Sequence, residues 1–437
     1  MSSELISANR FALTHETVEE LSRRRQEPDW LLAVRLRALE AFERLPMPDQ
    51  RTEGWRRTSL RGLTLDSHDP IPSQDTSPIV PDDMRAQQAG ANLFAYRNGM
   101  AVREDSLDAG WVMDLQDALQ EPLLALRIEK QFGKIVPLDA DKFTALHYAF
   151  FNAGVVVFLP RGTVLESPIW VAHDFDQPGH AAFVHTLILA EDESDVRLIE
   201  EFRGGSGLAS GVVEQVIGAN AHLRYGQLQR WSSDVWNFST QRAVLAQDAS
   251  IRTLNVAIGG RMARNTVQVR LEGARSQADL LGIVDANQRQ HIDFETLQDH
   301  VGDGTRSDLV IHNALRDRAS TNFTGLIRIN KSAHQTESSQ EQKNVLLSEQ
   351  SKADSDPKLE ILNNDVVRCT HGASVGPVDQ EMVFYLESRG LDRESAEQLI
   401  VEGFFQSVLK KLEMPTVAEA VWSAITEHDE SAGAAPE

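Results

Sequence analysis

The sequence has one cysteine, Cys369, among 437 residues. That excludes a disulfide framework, a self-contained cysteine zinc site and an iron–sulfur cluster held by this chain's thiolates alone. One thiol in so long a chain fits a reducing compartment. Positive charge is scarce as well. Lys and Arg number 43 against 65 Asp and Glu, a formal charge of −22. Such an excess repels nucleic-acid phosphates and anionic membranes, and no basic run exceeds Arg23-Arg24-Arg25. Long apolar runs are missing too: Val155–Leu159 is among the longest and falls far short of the ~20 residues a spanning helix needs. The first residues, MSSELISANRF, carry no basic stretch leading into an apolar core, so no secretory signal is expected. The composition therefore predicts a cytoplasmic chain that meets proteins or small molecules, with no nucleic acid and no membrane among its partners.

Several catalytic signatures are also absent. No GxxxxGK[ST] loop occurs, which removes the standard cradle for ATP phosphates, and no HExxH occurs. Gly204-Gly205-Ser206-Gly207 is rich in glycine but lacks the lysine and the strand-to-helix setting, so it reads as a corner. His291 and His300 are nine apart in a β-rich stretch, a spacing that defines no metal geometry.

What is present falls into three textures. Residues 1–135 read as an N-terminal helical domain with a connector. Leu32, Leu36, Leu39 and Phe42 recur at helical spacing after Pro28, and Pro46 and Pro48 end the helix. Pro70, Pro72, Pro78 and Pro81 mark an exposed connector, and Leu115–Leu126 suggests a further short helix. Residues 136–378 alternate short β-branched runs with Gly, Asp, Asn and Ser corners, with little amphipathic helical period. Small-residue corners followed by extended triplets begin at Ala221, Ser250, Ala278 and Ser307, at intervals of 29, 28 and 29, with half-steps at Ser320 and His334. A repeat near 28 with a half-step near 14 suits a coil that gives one strand to each of two sides and buries its face by stacking, so the spacing predicts a parallel β-helix core. Residues 379–437 are a C-terminal helical domain. Asp379 and Asp392 are predicted N-caps, Gly390 a C′ glycine, and Thr416-Val-Ala-Glu419 a capping box behind Pro415.

One local constellation carries chemistry. In Arg368-Cys369-Thr370-His371-Gly372, an extended backbone puts Cys369 and His371 on the same side. Thiolate and imidazole both ligate iron or zinc, but two ligands make half a site. The structural alternative stands beside it: a lone Cys is commonly a small buried hydrophobe and a nearby His a hydrogen-bonded structural residue.

The run Leu346–Ile361, the segment Asp365-Val-Val-Arg-Cys-Thr-His-Gly-Ala-Ser-Val-Gly376, Phe384-Tyr-Leu-Glu-Ser-Arg-Gly-Leu391 and Ile400-Val-Glu-Gly-Phe-Phe405 together resemble the SufB/SufD family of the SUF iron–sulfur cluster assembly system. Glu53–Arg61, Phe150–Gly162 and Phe323–Ile327 add weaker matches. Within the family the resemblance is to the SufD branch. SufB-like chains carry further cysteines, and a glutamate-rich sequence where this chain has Cys-Thr-His-Gly.

The resemblance implies a right-handed parallel β-helix core between helical ends. It implies a non-ATPase scaffold in a complex with one SufB, joined through the β-helices, and two copies of the SufC ATPase, docked on the C-terminal helices. A transient iron–sulfur cluster would form at the SufB interface, with no cofactor held by this chain alone and no catalytic residue. His371 is the first candidate ligand and Cys369 the second. His371 is expected at the start of the last coil's turn. Phe384, Arg389, Gly390 and Phe405 are candidates to face SufC. Leu399, Ile400, Phe404 and Val408 would pack inward, as a cap on the β-helix end. The competing function is an inert structural brace for SufB with no ligand of its own. A β-helix enzyme acting on acidic polysaccharide fits poorly, because the chain is itself strongly acidic.

Overall fold

The computed structural model describes residues 13–69, 84–107 and 109–433. The greater part of the predicted proline-rich connector lies outside them.

Corners and alternating strands produce a parallel β-helix. Two sheets of ten and nine strands run its length, and from Ala153–Leu159 onward successive strands of the chain enter them alternately. In the ten-stranded sheet His222 pairs with Ser250, Ser250 with Gln277, Gln277 with Arg306 and Arg306 with Glu337, so the rungs are 28, 27, 29 and 31 residues apart. The half-step at Ser320 opens the strand Ser320–Ile329, and His334 lies two residues ahead of Thr336–Leu346. One corner of each coil needs a left-handed residue to turn the chain sharply between sheets. Glu193, Asn220, Asp248, Arg275, Gly304 and Gln335 supply it with φ between 53° and 63°.

The inward columns change character along the axis. One column reads Leu198, Tyr225, Thr253, Leu280, Leu309, Gln340 and His371. Its neighbour reads Val196, Leu223, Ile251, Ala278, Ser307, Ser338 and Cys369. The early members build an apolar core of Val, Leu, Ile and Phe. The last coils bury Ser338, Gln340, Gln342 and Asn344 instead.

The β architecture begins before residue 136. Asn92–Arg97 runs parallel to Ile169–Phe175, and Trp111–Asp114 pairs antiparallel with Ala153–Leu159. The expected short helix at Leu115–Leu126 is two helices, Leu115–Gln120 and Pro122–Gln131. A helix at Lys142–Phe150 lies inside the stretch read as all β. It is buried on every side from Phe143 to Phe150, so it shows no amphipathic period to detect. Against it packs the helix Asp29–Arg44, with Leu31, Val34, Arg35, Ala38, Leu39 and Phe42 inward. Leu32 and Leu36, expected on that face, sit at its partly buried margin. Arg35 is fully buried. It donates to both carboxylate oxygens of Glu27 at 2.6 Å, and to the Ala149 and Phe151 carbonyls at 3.1 and 3.0 Å. A buried charge is tolerable only when paired and saturated in this way.

Glu53–Arg61 crosses the outer face of the nine-stranded sheet. The Gly54 carbonyl accepts from Arg264 at 2.9 Å, the Arg264 guanidinium lies over Trp55, and Thr58 meets His291 at 3.0 Å. Arg57–Asp354 at 3.1 Å and Lys358–Glu53 at 3.2 Å carry this segment to the sheet's last strand, Lys352–Ile361.

The C-terminal helices Arg393–Leu409 and Pro415–Gly433 lie along the outer face of the ten-stranded sheet. Val401, Phe405, Val408, Leu409, Val417, Val421 and Ile425 meet Leu254, Val256, Ile258, Leu281, Ile283 and Val310 there. They flank the solenoid; the expected cap over its end is not formed. The third helix starts at Pro415, one residue before the predicted Thr416 cap. Glu427 pairs with Arg85 and Arg230 at 2.9 and 2.8 Å.

Candidate functional site

The coil ends in two edge strands. Val366–Pro377 terminates the ten-stranded sheet and Lys352–Ile361 the nine-stranded sheet, so each has a ladder on one side only. Around these strands Leu359, Ile361, Leu362, Val367 and Val375 are exposed. An uncovered edge with apolar residues is a template for a further strand.

The register near the site contains a bulge. Thr336 pairs with Val366 but Glu337 pairs with Arg368, which leaves Val367 as the extra residue. The shift puts Cys369 above Ser338 and His371 above Gln340, both in inward columns, at the last rung. The expected common side is observed. His371 sits in mid-strand, not at the start of a turn, because the extended backbone continues to Pro377.

The two side chains differ in surroundings. Cys369 is half-buried beside Ile327, Ile329, Ala333 and Val366. That burial raises its thiol pKa, so the sulfur stays protonated until a metal or partner displaces the proton. His371 is exposed and makes no side-chain hydrogen bond among the described residues. Below it the lining is polar. Gln298 Nε2 donates to Ser307 Oγ at 2.6 Å and to Ser338 Oγ at 3.3 Å, and Ser307 and Ser338 share a 2.8 Å hydrogen bond. His300 bonds Thr305 and Ser307, both at 2.8 Å, and burial lowers its pKa to about 4. His291 is on the outward face of the same strand, bonded to Ser320 at 2.8 Å, so the two histidines share no site.

No GxSxG elbow is expected in the sequence, yet Gly372-Ala373-Ser374-Val375-Gly376 has its letters. It lies within a strand, not at a strand-to-helix turn, and the Ser374 carbonyl accepts from Asn344 at 2.9 Å. Gly204 opens a corner, as expected: its φ is +76°, and a Cβ there would stand 2.3 Å from the Phe175 carbonyl oxygen.

The C-terminal candidates separate cleanly. Asp379 caps Gln380–Ser388 by accepting from Glu381 N at 2.9 Å and Met382 N at 3.3 Å, and Asp392 caps the next helix through Ser395 N at 2.8 Å. Gly390 adopts φ +95° at the helix end. Phe384 is 70% exposed, next to exposed Met382 and Tyr385, and Arg389 lies 5.0 Å over the Tyr385 ring. Phe405, by contrast, is 0% exposed. It was expected to face a partner, but it anchors its helix to the solenoid and offers no surface. Phe404 stacks on His312 at 4.2 Å.

Residues 173–404 match the family described as SUF system FeS cluster assembly, SufBD core domain, which is more than half of the chain. The chain belongs to the SufB/SufD family. Among curated relatives it is 28% identical to the iron–sulfur cluster assembly protein SufB of Bacillus subtilis over 435 residues, covering 93% of this chain and 91% of that one. It is 29% identical to SufD of the same organism over 432 residues, covering 95% and 98%. A SufBD family protein of Staphylococcus saprophyticus is 26% identical over 435 residues. The near-equal likeness to SufB and SufD assigns the family and leaves the branch to the residues. No helix among the described residues is long and apolar enough to cross a membrane.

Proposed function

We propose that this chain is the SufD-type subunit of a cytoplasmic SufB–SufC–SufD assembly, a non-ATPase scaffold for building iron–sulfur clusters. The observation that carries this reading is the free end of the solenoid, where His371 and Cys369 share the inward side of the last rung in a chain with no second cysteine. SufB would add its own last coil to the edges formed by Val366–Pro377 and Lys352–Ile361, burying Val367, Ile361 and Leu362. Iron and sulfide are the substrates at that seam. The donor set suits iron: a neutral imidazole nitrogen from His371, and a Cys369 sulfur once its proton is lost. Two ligands are half of a coordination shell, so SufB would supply the remainder.

ATP would act through SufC, because this chain has no phosphate-binding loop. The exposed patch of Met382, Phe384, Tyr385 and Arg389 is the surface offered to it, with Gly390 turning the chain beside it. The helices behind the patch are bolted to the ten-stranded sheet. Movement of SufC would therefore be passed to the solenoid, and from there to the seam.

Co-expression with SufB and SufC, followed by iron and sulfide determination on the purified complexes, tests the reading. His371→Ala should leave folding and complex formation intact and lower cluster content at least several-fold. Wild-type cluster content in that variant complex would leave the inert-brace reading in its place.

A further inference from the structure

The rungs beneath the site bury several amides. In the last coils Gln298 Nε2 has three acceptors and Gln342 Oε1 accepts from Ser355. Gln340 differs. It is 3% exposed, and neither its Nε2 nor its Oε1 has a partner. A buried amide left wholly unpaired is costly, and it persists where something else needs it. The residue one rung above, in the same inward column, is His371. Gln342 also keeps an unpaired Nε2, but it has Ala373 above it, which forms no side-chain hydrogen bond; of these two glutamines, Gln340 is the one with an imidazole on the next rung.

We infer that Gln340 is a positioning residue for His371: its Oε1 accepts the N–H of one imidazole nitrogen and so leaves the lone pair of the other directed at iron in the seam. Gln340 Oε1 lies toward Gly325 of the facing sheet, and neighbouring strands are about 4.8 Å apart, so a change of glutamine rotamer brings the amide within reach of the imidazole on the next rung. A ligating histidine commonly has its second nitrogen held by an outer acceptor, and loss of that acceptor typically costs 10–100-fold in metal affinity. The inference rests on His371 being a ligand. It adds what makes the ligand effective, and assigns a use to an amide that packing leaves idle.

The test uses the purified three-component complex, titrated anaerobically with ferrous iron and, for spectroscopy, with Co²⁺. Gln340→Leu should weaken binding of either ion about 10–100-fold and alter the Co²⁺ ligand-field bands, while its melting temperature stays equal or rises. Gln340→Glu, which keeps the acceptor, should restore affinity to within a few-fold of wild type. Gln340→Met is read in the same way should leucine disturb the coil. Unchanged affinity in both apolar variants would overturn the inference and leave the His371 reading standing. Unchanged iron binding in His371→Ala would remove both. Loss of affinity that Gln340→Glu does not restore would reduce Gln340 to a packing residue and also overturn it.

Discussion

Two phenylalanines on neighbouring C-terminal helices should behave in opposite ways, and the structure sets the size of each effect. Phe405 is fully buried between its helix and the outer face of the ten-stranded sheet, in a cluster with Val401, Val408, Leu409 and Val310. Truncation to alanine removes the transfer free energy of a buried ring, roughly 1.5–3 kcal/mol, and leaves a cavity. Measured Phe→Ala costs in cores are about 3–5 kcal/mol. Since the cluster is flanked by a sheet that cannot collapse inward, Phe405→Ala is expected toward the upper end of that range. Phe384 is 70% exposed, and its truncation should change stability by no more than about 0.5 kcal/mol. At a docking surface the order reverses. An exposed aromatic that anchors a partner typically contributes about 2 kcal/mol or more, close to 30-fold in affinity. Urea denaturation followed by tryptophan fluorescence gives stability, since Trp422 and Trp170 both border the buried cluster. Quantitative capture of SufC gives docking. The expected result is a stable Phe384→Ala with SufC binding weakened about 30-fold or more, and a destabilised Phe405→Ala. A Phe405→Ala of wild-type stability would refute the burial argument. A Phe384→Ala that holds SufC as tightly as wild type would move the docking surface elsewhere. Deletion of residues 379–437 is a poorer test, because it strips the apolar cover from Leu254, Ile283 and Val310.

Glu214 is fully buried, and its two carboxylate oxygens accept from Gly133 N at 2.8 Å and from Ile135 N and Val136 N at 2.9 Å, with His185 Nε2 at 3.2 Å. Glu214→Gln retains only one acceptor oxygen and turns an NH₂ toward the remaining donors, so a loss of about 3 kcal/mol or more is expected in chemical denaturation. Retention of wild-type stability would show that the loop at 133–136 does not depend on it. His300 has a native pKa of about 4 against about 6.5 when unfolded. Between those values the unfolded state binds the extra proton, so stability falls as pH drops from about 6.5 and levels off below about 4, a total of roughly 3 kcal/mol. His300→Gln should flatten this part of the pH–stability profile, and an unchanged profile would count against the buried neutral imidazole.

Much of this molecule is legible in local patterns. Corner residues recurring near 28 residues are enough to specify a stacked coil, because each corner is a short-range event repeated at every rung. Asp379, Asp392 and Gly390 mark helix ends for equally local reasons: a side-chain acceptor for free N–H groups, and a left-handed turn. The Cys-Thr-His-Gly segment is visible through its resemblance to a family, and the alternation of an extended chain puts its thiol and imidazole on one side.

Which side that is, the sequence does not say. A period of two has no preferred origin, and the bulge at Val367 decides it by shifting the register against the preceding rung. The helix Lys142–Phe150 escaped because burial on every side erases the periodicity that reveals a helix. The C-terminal helices settle on the flank of the solenoid, not over its end, since the apolar surface that receives them is assembled from several strands far apart in the chain. For the same reason Phe384 and Phe405, both aromatic residues of C-terminal helices, came to opposite fates. Local propensity and spacing therefore determined that this is a coil with helical ends. Only three-dimensional packing determined which residues the coil presents at its open edge and which it keeps for itself.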